Sequence, residues 1–214
     1  MTLLPAITAI VAAAFAVVVL RQYAGHHKTY QLMWGAGFAM FAIAAFAGFL
    51  ARNGPTTTTE YRVFYLFGAI LNVAWLALGT IYLLAPRRWA KVGLGAVLLL
   101  SVLAVYAVVS APIDLALAEA NGKGYPDGSL ARILAAVGSG LGSIVLIGGA
   151  LWSAWIFLRK RRNGRRAVAN VIIAVGVFIV ALGGTATFTG IGGVLETANL
   201  VGLAVMFAGF LLVG

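Results

Sequence analysis

Seven apolar runs recur along the chain, at about 3–20, 31–51, 61–85, 91–110, 131–158, 167–184 and 190–214, with short polar stretches between them. A helix rises about 1.5 Å per residue and the hydrocarbon core of a bilayer is about 30 Å thick, so runs of this length are read as membrane-crossing helices. The pattern predicts an all-α, polytopic membrane protein of seven transmembrane helices forming one domain over residues 1–214. The first run has no base before it and Arg21 directly after it, the reverse of the flanks of a cleaved signal peptide.

Charge alternates between the polar stretches. The first, third and fifth hold eleven of the 15 bases: Arg21, Lys28, Arg87, Arg88, Lys91 and the six in RKRRNGRR, Arg159–Arg166. The other side holds Arg52, Arg62, Lys123 and Arg132, with the acids Glu60, Asp114, Glu119 and Asp127. By the positive-inside rule this places the N-terminus outside and the C-terminus in the cytoplasm. The net charge of +10 then reads as an orientation signal, with anionic lipid headgroups as its partner and no nucleic acid. Composition agrees, because 9% charged residues is far below the roughly 25% of soluble domains. The absence of cysteine excludes a disulfide framework, thiolate metal sites and a cysteine nucleophile.

An internal repeat is visible. The first and fifth runs both end in Leu-Arg (Leu20-Arg21, Leu158-Arg159), each followed seven residues later by a base, Lys28 and Arg166. GAILNVAWL (Gly68–Leu76) in the third run matches GGVLETANL (Gly192–Leu200) in the seventh at four of nine positions. Runs one to three and five to seven then form a parallel 3+1+3 arrangement, with Asn72 and Glu196 at equivalent positions and a site expected where the repeats meet.

The polar residues that could carry chemistry are few. Arg62, Tyr65, Gly68, Asn72, Trp75, Gly79 and Tyr82 are spaced three or four apart and share one face of a regular helix, read as pointing into the bundle. The glycines there read as packing points. Glu196 is the one acid inside an apolar run, where an ionised carboxylate must be paired, face water or take up a proton. Its helical neighbours are Gly192, Asn199 and Leu203, and Arg62 is the nearest base at its level. Either an Arg62–Glu196 ion pair is structural, or the two residues belong to a ligand or proton site. His26 and His27 are adjacent in a loop and read as solvated, which excludes intramembrane haem ligation, and nothing else supplies a zinc site. No cofactor is expected. The stretch from Ala111 to Leu130 predicts a short amphipathic helix followed by turns, either covering an outer cavity or merely connecting. Trp89, Trp152 and Trp155 read as interfacial anchors.

The string YRVFYLFGAILNVAWLALGTIYLLAPRR resembles the third helix of uncharacterised seven-helix membrane proteins of actinobacteria and related bacteria, which implies the bacterial inner membrane. More remotely, the topology resembles that of SWEET-type facilitators and microbial rhodopsins. Asn72 and Asn199 resemble the paired asparagines of SWEET proteins, whose hinge prolines are missing here. Arg62 and ETANLVG resemble features of rhodopsins, but Leu200 stands where the retinal lysine would be, so a retinal Schiff base is excluded. The resulting expectation is a non-enzymatic, receptor- or sensor-like bundle. It would bind a small apolar or amphiphilic ligand through Arg62, Tyr65, Asn72, Trp75, Glu196 and Asn199. A small-solute facilitator and an accessory subunit of a membrane complex are the alternatives.

Overall fold

The structure, a computed structural model, describes residues 3–159, 164–189 and 193–212. Gly192 and Lys160–Asn163 of the basic run therefore lie outside the described residues. The described residues form helices and contain no strand: α1 (Leu4–His26), α2 (Thr29–Asn53), α3 (Thr58–Leu84), α4 (Arg87–Ser110), the short α5 (Leu115–Asn121), α6 (Leu130–Arg159), α7 (Gly164–Thr189) and α8 (Leu195–Leu211). Among them α1, α2, α3, α4, α6 and α7 are long and apolar enough to cross a membrane. The seventh apolar run is shorter than expected: α8 has 17 residues, or about 25 Å of helix.

Side-chain capping sets the starts of α3 and α5. At α3 the Thr57 side chain accepts from Glu60 N–H (3.2 Å) while Glu60 accepts from Thr57 N–H (3.0 Å). At α5 the Asp114 carboxylate accepts from Leu117 N–H (3.0 Å), and Gly122, at φ 76, closes the helix in the left-handed conformation that glycine adopts without strain. A short helix is present where one was expected after Ala111. His26 and His27 are exposed in the α1–α2 turn, as a solvated loop requires.

Six helices close a ring in the order α1, α2, α3, α6, α7, α8 and back to α1, while α4 lies outside it against α3 and the start of α6. Only 17% of the most apolar stretch of α4 is buried, which leaves most of its surface for lipid. The two ends of the ring differ. Arg21, Lys28, Arg87, Arg88, Lys91 and Arg159 mark a basic end, and the Ala111–Ser129 connection marks a loop end. Exposed Trp89, Trp152 and Trp155 flank the basic end, with the Arg88 guanidinium 5.9 Å from the Trp89 ring and Arg159 5.1 Å from Trp155.

Toward the basic end most of the ring is filled. Phe15 stacks on Phe38 at 3.8 Å between ring centroids and meets Phe207 and Phe210 at 5.0 Å, within a core that also holds Leu76, Leu146, Val177 and Leu203. Small residues bring neighbouring helices together, as expected where lipid tails remove most of the hydrophobic drive. A Cβ on Gly176 of α7 would lie 2.6 Å from the Gly202 carbonyl oxygen of α8, and one on Gly202 equally close to the Gly176 carbonyl. Gly79 serves Trp34, whose indole fills the space a Cβ would take and donates to Leu76 O (3.0 Å).

Candidate functional site

The loop half of the ring is hollow. A cavity of about 940 Å³ lies between α2, α3, α6, α7 and α8, with Pro5 and Thr8 of α1 on one side and the α5 connection across its mouth. Its shape follows from a departure from regular helix in two walls. In α3 residues Tyr65–Leu71, and in α6 residues Ala136–Leu141, are π-helical, with hydrogen bonds that reach one residue further along the chain. A regular helix turns once in about 3.6 residues, so positions four apart drift round it; a widened turn cancels the drift. Accordingly α3 faces the cavity with rows at strict spacing of four, Tyr61, Tyr65, Ala69, Val73 and Phe64, Gly68, Asn72. On α6 the rows are Arg132, Ala136, Gly140, Ile144 and Ala135, Ser139, Ser143, Ile147. The regular helix α2 instead contributes Phe41, Ala44, Ala45, Gly48, Ala51 and Arg52, at spacings of three and four.

The two widened segments lean on each other. Ser139 Oγ donates to Ala69 O (2.6 Å), and Gly138 lies so close to the Ile70 carbonyl that a Cβ would collide with it. Asn72 closes the wide turn of α3, its Oδ1 accepting from Val73 N–H (2.7 Å) in a buried position.

Of the six residues expected to form the site, the structure brings four to the cavity wall: Tyr65, Asn72, Glu196 and Asn199. The other two require correction. Arg62 stands one residue past Tyr61, about 100° round the helix, and so faces α4, where it donates to Val109 O (2.8 Å). Trp75 is absent from the cavity wall and packs against the apolar cluster that holds Leu71, because the wide turn rotates the expected stripe out of line before it is reached. Gly68 and Gly79 are packing points as read, with Ala44 Cβ 3.1 Å from a Cβ built at Gly68.

The ion pair of Glu196 is also different from the expectation: its partner is Arg52, at the end of α2. Glu196 belongs to the first turn of α8 at the cavity rim, where the positive end of the helix dipole favours a carboxylate. Its side chain is 18% exposed and that of Arg52 is 51%. The carboxylate is thus neither sealed in hydrocarbon nor bathed in solvent, and cavity rather than packing lies beneath it.

The mouth is closed on one side by three tyrosines, of which sequence reasoning found Tyr65 and missed Tyr61 and Tyr125. Tyr61, Tyr65 and Tyr125 form a cluster with ring centroids 4.7–5.8 Å apart. The Tyr61 hydroxyl donates to Gly122 O and accepts from Gly124 N–H, both at 2.8 Å, and Tyr125 donates to Val108 O (2.9 Å). Burial pushes the Tyr125 phenol up to about 12, so it remains a neutral donor. These bonds fix the connection after α5 over the hollow, with Ala118, Glu119 and Lys123 on the mouth. Tyr61→Phe removes both bonds and leaves the buried Gly124 N–H without a partner, which costs about 1–3 kcal/mol. Tyr65, whose hydroxyl makes no hydrogen bond among the described residues, should tolerate Phe with little loss. Thermal unfolding of the two variants in the same detergent checks the contrast.

Chemically the cavity has apolar walls, a few amides and hydroxyls at mid-depth, and charges of both signs at the mouth. Among the described residues no three His, Cys, Asp or Glu side chains are grouped to hold a metal. No protein-family model, curated protein or solved structure matches the chain, and nothing among them supports the likeness to rhodopsins or SWEET proteins.

Proposed function

We propose that this chain is a seven-helix protein of the bacterial inner membrane, with its loop end outside and its basic end against anionic headgroups. On this reading its bundle holds a small apolar or amphiphilic molecule as a receptor or sensor would, without catalysing a reaction. The observation that carries the reading is the cavity itself. About 940 Å³ is at the upper end of ligand sites, which are typically apolar clefts with a few placed polar groups. Asn72, Ser143 and Asn199 are such groups, and the packed core below them makes the cavity blind. The parallel repeat belongs to the same proposal: α4 lies outside the ring, as a connector would, and Asn72 and Glu196 both line the cavity.

Thermal unfolding of the purified protein with added long-chain fatty acid tests the proposal. A ligand that binds the folded state raises the melting temperature with concentration. Ser143→Phe projects a ring into the hollow and should lessen that rise while the unliganded protein melts normally. Equal stabilisation of wild type and variant would place the binding elsewhere.

One observation favours a facilitator as the second reading. A further cavity of about 90 Å³ lies toward the basic end between the same helices, with Thr80, Ser153 and Asn170 on its wall. A thin layer that includes Phe38, Phe41, Val73 and Leu76 separates it from the larger one. Solute flux into proteoliposomes, above that of empty vesicles, would favour this reading over a closed binding bundle.

A further inference from the structure

The large cavity is not walled evenly. Phe41, Tyr65 and Asn72 line it and are less than a tenth exposed, whereas Ile144 on α6 is 68% exposed and Phe178 and Leu182 on α7 are each 53% exposed and line the same space. A side chain that bounds an internal hollow and is also open to the outside stands at its rim. The exposed ones lie on two neighbouring helices. Beside them Gly140 and Gly184, also on the wall, have open space where a Cβ would stand. Toward the basic end the same two helices close, with Asn170 Nδ2 donating to Ser153 Oγ (3.0 Å). In the loop half, α6 and α7 therefore part to leave a slit.

Depth decides what the slit faces. Ile144 is roughly 21 Å along the axis from the start of α6 at Leu130, and Phe178 is roughly 16 Å from the end of α7 at Thr189. In a hydrocarbon core of about 30 Å these positions face acyl chains and not water. Upward the slit continues to Thr185, about one turn from the loop end. It thus spans from headgroup level to mid-membrane.

The cavity has a matching polarity gradient. At the loop end stand Arg52, Lys123, Arg132, Glu119 and Glu196; below them are the amides and hydroxyls, and among and beneath these are Phe41, Val73 and Ile147. A wholly polar solute would leave hydrogen bonds unmade against those apolar side chains, and a wholly apolar one would meet charges at the mouth. We propose, resting on the binding reading above, that the ligand is a single-chain amphiphile that enters sideways from the bilayer between α6 and α7. Its oxygen-rich head lies at the level of the Arg52–Glu196 pair and its chain lies along Phe41, Val73 and Ile147. Entry in this direction preserves the orientation the molecule already has in its leaflet, so the head never crosses hydrocarbon.

The full chain in phosphatidylcholine nanodiscs, loaded with palmitic acid carrying a mid-chain diazirine or with the corresponding lysophosphatidylcholine, provides the test. Irradiation should label Phe41, Val73 or Ile147, and whichever probe labels more strongly identifies the head. Gly140→Phe and Gly184→Phe place a ring in the open slit and should slow interior labelling about tenfold, as expected when the approach path is obstructed. Interior labelling at an unchanged rate in both variants overturns lateral entry while leaving the binding reading intact. Absence of interior labelling by either probe in the wild type overturns the amphiphile and the binding reading with it.

Discussion

Gly138→Val should cost about 3 kcal/mol or more of bundle stability and remove the cavity's binding capacity together with it. The position is where the widened segment of α6 meets that of α3, and the atom a Cβ would strike is the Ile70 carbonyl oxygen. Overpacking usually costs about 1–3 kcal/mol when side chains can yield. Here the obstacle is backbone, so α3 and α6 must separate. Separation also breaks the Ser139–Ala69 bond, worth about 1 kcal/mol. The comparison is with Gly148→Val, on the same helix at a site where nothing lies within 4 Å of a Cβ. Unfolding in increasing denaturing detergent should show a large loss for the first and a small one for the second. Equal midpoints would mean that the two wide turns do not support each other.

That contact also explains why part of the site escapes a reading of the sequence. The bundle itself is legible, because apolar runs of membrane length and a one-sided distribution of bases leave few other arrangements. So are Tyr65 and Asn72 as inward residues and the short helix α5. What misleads is the assumption of one helical period. The stripe from Arg62 to Tyr82 fits 3.6 residues per turn, yet α3 is regular only above Tyr65 and below Leu71. The cavity rows follow a spacing of four, and both Arg62 and Trp75 end up off the cavity wall. The signal is present: small or polar residues at Gly68, Ala69 and Asn72, and at Ala136, Ser139, Gly140 and Ser143, recur four apart in both helices. Its meaning depends on which pairs touch, and that is not local information.

Pairing of charges fails for a related reason. Arg52 and Glu196 are 144 positions apart, and Arg52 reads as a loop residue because the apolar run of α2 ends just before it. In the structure α2 continues to Asn53, carrying the guanidinium to the rim of the cavity. The level of Arg62 along the membrane normal is right for Glu196, but its direction round the helix is wrong. Sequence fixes depth in a membrane more firmly than it fixes azimuth, since hydropathy depends on the first and packing on the second.

Because the chain has no cysteine, any thiol introduced into it is the only one present. Ala45→Cys and Ser143→Cys would stand on the cavity wall, whereas Leu203→Cys would stand in the fully buried core. Treatment of the folded protein with a small, water-soluble thiol reagent measures directly whether the loop half is hollow and the core solid. The expected result is modification of the first two within minutes and of the third only after unfolding. If all three thiols are equally protected in the folded protein, there is no accessible cavity between α2, α3 and α6, and the binding role assigned to it is wrong.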